Sequence, residues 1–299
     1  MKNILTFILI MAIEVSIAQT QYLDSIFSEV NKTTHVFNTH KNDSLQLDYY
    51  IASEIKEQVP LLVYVHGGGF SGGQRDSDGI VAFATKLAQH GFAVASVSYR
   101  LTMKGIGFGC NTKTNKKIEA IDAASHDVGI AIKYILDHNQ EFNIDKSKVI
   151  LAGGSAGAEA VLNMAYVYED NTLPADFKYA GVISLAGAIT TVDKIKHETA
   201  IPTQLFHGTG DILVPYGVAP HHYCKSNDKG LLMLYGSAPI AKRLKGLGSP
   251  YYLYSITGGS HAWAELPLTK CFSDIIDFLY HDVLYSTSIR QTERTINTL

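Results

Sequence analysis

The sequence predicts a mostly parallel, doubly wound α/β sheet with helices on both faces. Three observations carry that expectation. Short, continuously apolar segments recur at 61–65, 92–97, 149–152, 181–186, 204–206 and 251–256, the pattern of strands buried on both sides. Longer segments with apolar residues at helical spacing alternate with them, at 78–90, 118–138, 158–168, 238–247 and 272–285. The 299 residues are 46% apolar and 18% charged. That is enough for one large core, and no shift in composition divides the chain.

The chain opens as a secretory signal. Lys2 precedes an apolar run at 4–13, and Ser16-Ile17-Ala18 supplies small residues for cleavage before Gln19. Residues 1–18 are therefore expected to direct export, to the periplasm or beyond. The run is too short to span a bilayer, no lipobox cysteine follows, and no span is expected after cleavage. One domain then covers 19–285. Strands at 35–38 and 45–50 flank a turn at Lys41-Asn42-Asp43, and the second alternates with period two like a half-buried antiparallel strand. Pro60 closes a linker ahead of the strand at 61–65. The tail, 286–299, is polar and expected to fray.

Several function classes are disfavoured. The formal net charge is −3, so no basic field is available to hold nucleic acid. Lys113, Lys116 and Lys117 read as a solvated loop face. The glycine run at 67–69 lacks the Gly-Lys-Ser/Thr sequel of a phosphate loop, and no G-x-G-x-x-G opens a helix. His221-His222-Tyr223-Cys224 resembles a metal cluster, but adjacent side chains diverge and no second ligand pair is evident. Neither a metal nor a cofactor is expected.

Four strand ends carry candidate chemistry, and open α/β sheets build sites at the carboxyl ends of their strands. Gly153-Gly154-Ser155-Ala156-Gly157 links a strand to a helix, the context in which G-x-S-x-G exposes a nucleophilic serine on a strained turn. His66-Gly67-Gly68-Gly69-Phe70 follows the strand at 61–65 and can present backbone N–H groups to a developing oxyanion. Asp211 lies past the strand at 204–206, where it can orient an imidazole through Nδ1–H. His261 lies past the strand at 251–256, and its type suits a general base near neutral pH.

The order Ser155, Asp211, His261, together with the His-Gly-Gly-Gly motif and Val97-Ser98-Tyr99-Arg100-Leu101, resembles the α/β-hydrolase superfamily, and is similar to secreted bacterial carboxylesterases and lipases. The resemblance runs from residue 61 to the closing helix. It implies Ser155 as nucleophile, His261 as base and Asp211 as orienting acid, with N–H groups of Gly68, Gly69 and Ala156 as the oxyanion hole. The implied activity is hydrolysis of a carboxylic ester, small or polysaccharide-linked, through an acyl-enzyme. Alternatives are an acetyl or feruloyl esterase acting on polysaccharides, a peptidase on the same fold, and a non-catalytic binding protein on a hydrolase scaffold.

Some positions depart from the family. Gly154 stands where many relatives carry an acid, and Glu159 where small or amide residues are common. No large cap is inserted between 186 and 204. The loops at 102–117 and 216–236 are long and are expected to flank the site and set substrate choice. Each carries a cysteine, which makes Cys110–Cys224 the preferred disulfide, with Cys271 a buried free thiol.

Overall fold

A computed structural model describes residues 21–40, 43–169 and 171–297. The signal segment and the turn residues 41 and 42 lie outside the described residues.

A nine-stranded sheet forms the centre, in the order β1-β2-β4-β3-β5-β6-β7-β10-β11. β1 (Val30–His40) pairs antiparallel with β2 (Asp43–Ala52), and β2 antiparallel with β4 (Ala93–Val97). Every further pairing is parallel: β3 (Val59–Val65), β5 (Ile144–Gly154), β6 (Gly181–Leu185), β7 (Thr203–Gly208), β10 (Tyr251–Thr257) and β11 (Gln291–Asn297). β3, β4, β6 and β7 are buried along their whole length because helices cover both faces. Pro60 lies inside β3 and not ahead of it. It has no N–H for the ladder, and the pairing with β5 shifts register there.

Helices α1 (Asp78–Gln89) and, near the end of the described chain, Phe272–Phe278 cover one face. On α1, Ile80, Phe83, Ala84, Leu87 and Ala88 are buried, a single stripe at helical spacing. α2 (Thr114–Asp137), α3 (Ala156–Tyr166) and α4 (Ser237–Gly246) cover the other face. The helix expected at 272–285 is α-helical to Phe278 and widens to a π-helical turn over Leu279–Leu284. Among the described residues no helix is long and apolar enough to cross a membrane.

Two expectations are corrected. Within the described part of the C-terminal tail, Gln291–Asn297 is not frayed but forms β11 against β10. An edge strand needs little apolar content because its ladder is made by backbone. Arg294 adds side-chain contacts, 2.9 Å from Asp274 and 5.1 Å from the centre of the Tyr254 ring. Lys117 is not on a solvated face either. It is 0% exposed, and its Nζ donates to the carbonyl of Gly230 at 2.9 Å. The helix begins at Thr114, four residues earlier than expected, which turns Lys117 inward. The loop at 216–236 also contains an unforeseen hairpin, β8 (Val218–Pro220) and β9 (Met233–Tyr235).

The helix after Ser155 can reach the sheet only because Gly157 has no side chain. A Cβ there would lie 2.1 Å from the carbonyl oxygen of Val65. Gly157→Ala is therefore expected to destabilise the protein by about 1–3 kcal/mol, read as a lower urea midpoint at unchanged slope. An unchanged midpoint would show that this contact relaxes freely.

Candidate active site

Ser155 sits between β5 and α3 with φ 52° and ψ −122°. A non-glycine residue held there stores about 1–3 kcal/mol of strain. The turn is over-determined by its neighbours. The Ser155 N–H donates to the Leu185 carbonyl at the end of β6, and its own carbonyl accepts the Glu159 N–H, both at 2.9 Å. A side chain on Gly154 would also meet the Ala264 carbonyl at 2.3 Å. The backbone segments that carry β3, Ser155 and the His261 loop therefore touch directly.

Ser155, Asp211 and His261 are brought together. Ser155 Oγ lies 2.7 Å from His261 Nε2, and His261 Nδ1 lies 2.7 Å from Asp211 Oδ2. Asp211 is 1% exposed. Its other oxygen accepts the N–H groups of Leu213 at 2.8 Å and Val214 at 3.1 Å. Burial alone would raise the Asp211 carboxyl. Hydrogen bonds from His207 and His261, the charge of His261 and the Leu213 N–H outweigh it, and hold the carboxyl well below the usual carboxylate range.

His207 was given no role in the sequence, yet it completes this support. Its Nε2 faces the Val214 carbonyl at 3.1 Å and Asp211 Oδ2 at 3.4 Å. A carbonyl only accepts, so Nε2 carries the hydrogen and Nδ1 accepts from the Ser237 hydroxyl at 2.9 Å. The signal was legible in principle, since His207 lies at the carboxyl end of β7, next to its last residue and four residues before Asp211.

The glycine run turns back on itself beside Ser155. Gly68 has φ +112°, and its carbonyl accepts the N–H groups of Ser71 and Gly72. A Cβ on Gly68 would lie 2.3 Å from the Gly72 carbonyl oxygen. His66 stacks on Tyr99 with ring centres 4.5 Å apart, and Phe70 packs behind the run against Tyr99 and Phe108. Tyr99 belongs to the Tyr-Arg-Leu stretch, where Arg100 Nε reaches Asp127 at 2.8 Å. Gly68, Gly69 and Ala156 line the same cavity as Ser155 and His261, a space of about 1150 Å³.

That cavity has two unlike walls. One comes from residues of the α1 face of the sheet, including Tyr64, Ile80 and Leu268. The other is built by the two long loops with α3 and the turn after β7, and includes Phe108, Glu159, Leu213 and His221. Cys110 and Cys224 join the loops, with sulfurs 2.05 Å apart; Cys271 is free and buried. Glu159 and His221, 2% and 3% exposed, are the second feature that the sequence did not assign. Burial pushes the Glu159 carboxyl up to about 8, against the attraction of Lys117 and with a further push from Asp211. Burial, His222 and Lys117 push His221 down to about 2. Each shift favours the uncharged form of its group.

Sheet order, helices on both faces and a hydrogen-bonded Ser-His-Asp chain at the strand ends give this chain the α/β-hydrolase fold. The BD-FAE family model matches residues 47–187. Gut esterase 1 of Caenorhabditis elegans is 27% identical over 142 residues, covering 48% of this chain and 24% of that protein. Fumonisin B1 esterase of Sphingopyxis macrogoltabida is 32% identical over 127 residues, covering 40% and 22%. The chain thus spans under a quarter of the length of these curated relatives. A thermophilic esterase from Thermogutta terrifontis, solved with propionate bound, superposes with a TM-score of 0.62 at 18% identity, over 83% of this chain and 93% of that one.

Glu159 makes stability depend on pH in a definite direction. Below its ordinary value of 4.5 the folded and unfolded chains both hold the proton. Between 4.5 and about 8 only the folded chain holds it, so this residue erodes stability as pH rises through that window. Glu159→Gln removes the linkage. The urea midpoint of the variant relative to wild type should climb from pH 5 to pH 8, and a flat difference would place the carboxyl's titration elsewhere.

Proposed function

We propose that this chain is an exported serine hydrolase that cleaves carboxylic esters through an acyl-enzyme. The observation that carries this reading is the unbroken chain from Ser155 Oγ through His261 to buried Asp211, at 2.7 Å for each link. His261 Nε2 takes the Ser155 proton as Oγ attacks the ester carbonyl carbon. Asp211, held ionised, fixes the imidazole and stabilises the imidazolium. The N–H groups of Gly68, Gly69 and Ala156 hold the tetrahedral oxyanion. The C–O bond to the alcohol then breaks, and the alcohol leaves with the proton from His261. Water, deprotonated by the same nitrogen, attacks the acyl-enzyme and releases the acid. The esterases and lipases among its relatives support the reaction type. The N-terminal signal pattern supports export, and pairing of Cys110 with Cys224 in an oxidising compartment belongs to the same proposal.

The intact serine, histidine and aspartate stand against a purely binding role. The test is hydrolysis of p-nitrophenyl acetate, butyrate and octanoate and of methyl ferulate, with Ser155→Ala as control. Wild type should turn over at least one ester, and the variant should lose on the order of 10⁴–10⁶ in kcat. A fluorophosphonate should label wild type at Ser155 and leave the variant unlabelled. Equal activity in both proteins, or none in either, would sink the esterase reading.

A further inference from the structure

The loop wall of the cavity is not an apolar lining. Glu159 and His221 are almost wholly buried, yet among the described residues Glu159 Oε1 and His221 Nδ1 have no hydrogen-bond partner. Leaving one such atom unmet costs about 1–3 kcal/mol. The two side chains do not satisfy each other, because His221 Nε2 stands 3.5 Å from Glu159 Oε1, longer than a good hydrogen bond. Lys117, whose charge acts on both groups, hydrogen-bonds through Nζ to the Gly230 carbonyl. Both side chains line the space that holds Ser155.

Their position is fixed with respect to the nucleophile. The Glu159 N–H bonds to the Ser155 carbonyl, so Glu159 stands one helical turn on, about 6 Å along the axis. His221 is held from the other loop. It meets Phe108 edge to face with ring centres 4.9 Å apart, and Phe108 and His221 each lie within three residues of the bonded Cys110 and Cys224. Phe108, Leu213 and Val214 make the surroundings apolar. The wall therefore offers a small donor–acceptor pair in a greasy setting.

We propose that Glu159 and His221 form a subsite that hydrogen-bonds a hydroxyl group of the substrate, a few bonds from the ester carbonyl, and so select hydroxylated esters over plain alkyl ones. The inference rests on the esterase reading above. A hydroxyl both donates and accepts, and so can serve two side chains that at 3.5 Å do not serve each other. An alkyl ester leaves both atoms unmet, which is how a polar site rejects an isostere lacking its hydroxyl. The hydroxyl can sit on the acyl or the alcohol side of the ester.

Two matched pairs separate those sources: p-nitrophenyl butyrate against p-nitrophenyl 3-hydroxybutyrate, and propyl acetate against glycerol monoacetate followed by acid release. In one pair, kcat/KM of wild type should favour the hydroxylated ester by about tenfold or more. That ratio should fall towards one in Glu159→Leu and in His221→Phe, while the isosteric Glu159→Gln retains part of it. The ratio is taken within each protein, so altered folding or overall activity does not mimic the effect. A wild-type ratio near one in both pairs overturns the subsite and leaves the esterase reading standing. So does an equal ratio in wild type and both variants, or a stronger preference for p-nitrophenyl hemisuccinate. A readout independent of turnover uses Ser155→Ala protein: ethyl 3-hydroxybutyrate should bind more tightly than ethyl butyrate by ligand-observed NMR, and equal binding overturns the proposal even if no ester is hydrolysed.

Discussion

The site depends on backbone packed directly against backbone at the end of β5. Ser155 is held at φ 52° by bonds to β6 and to its own helix. Around it the Val65 and Ala264 carbonyls come so close that side chains at Gly157 and Gly154 are excluded. Those contacts tie together the strand that leads into the glycine run, the turn that carries the serine and the loop that carries the histidine. Strain in one residue is tolerated because three elements agree on where it must be.

Charge is organised around the same point. Asp211 has four neighbours giving it hydrogen, two backbone N–H groups and two imidazoles, and it stays ionised despite near-complete burial. Glu159 on the neighbouring helix has the same functional group and comparable burial but lacks such donors, and it keeps its proton. The contrast is one of environment: a carboxyl's state here follows from how many donors meet it, since burial alone acts on both in the same direction.

The fold was legible because its strands are apolar runs and its helices amphipathic, and both signals are local. The residues of the hydrogen-bonded chain were legible because each lies just past a strand, at spacings that chain order alone reveals. Other features depend on distant partners. Lys117 reads as solvated until the Gly230 carbonyl, 113 residues on, is seen to accept from it. β11 is polar and looks like a loose end until β10 lies alongside. His207 lacked meaning until the loop that follows it folded back on its ring. Glu159 was visible as an oddity, but its burial against a loop some sixty residues away could not be read from its neighbours.

The last strand has a consequence for the solution behaviour of the molecule. β10 is a long strand of mostly buried residues, and without a neighbour its outer row of amide and carbonyl groups would be an adhesive margin for other chains. β11 pairs with that margin, and its Glu293 and Arg294, tied to Lys245 and Asp274, put charged side chains on the strand that becomes the edge. A polar segment remote from Ser155 in the chain thus covers the mostly buried strand β10 and moves the sheet's edge to a strand rich in polar residues.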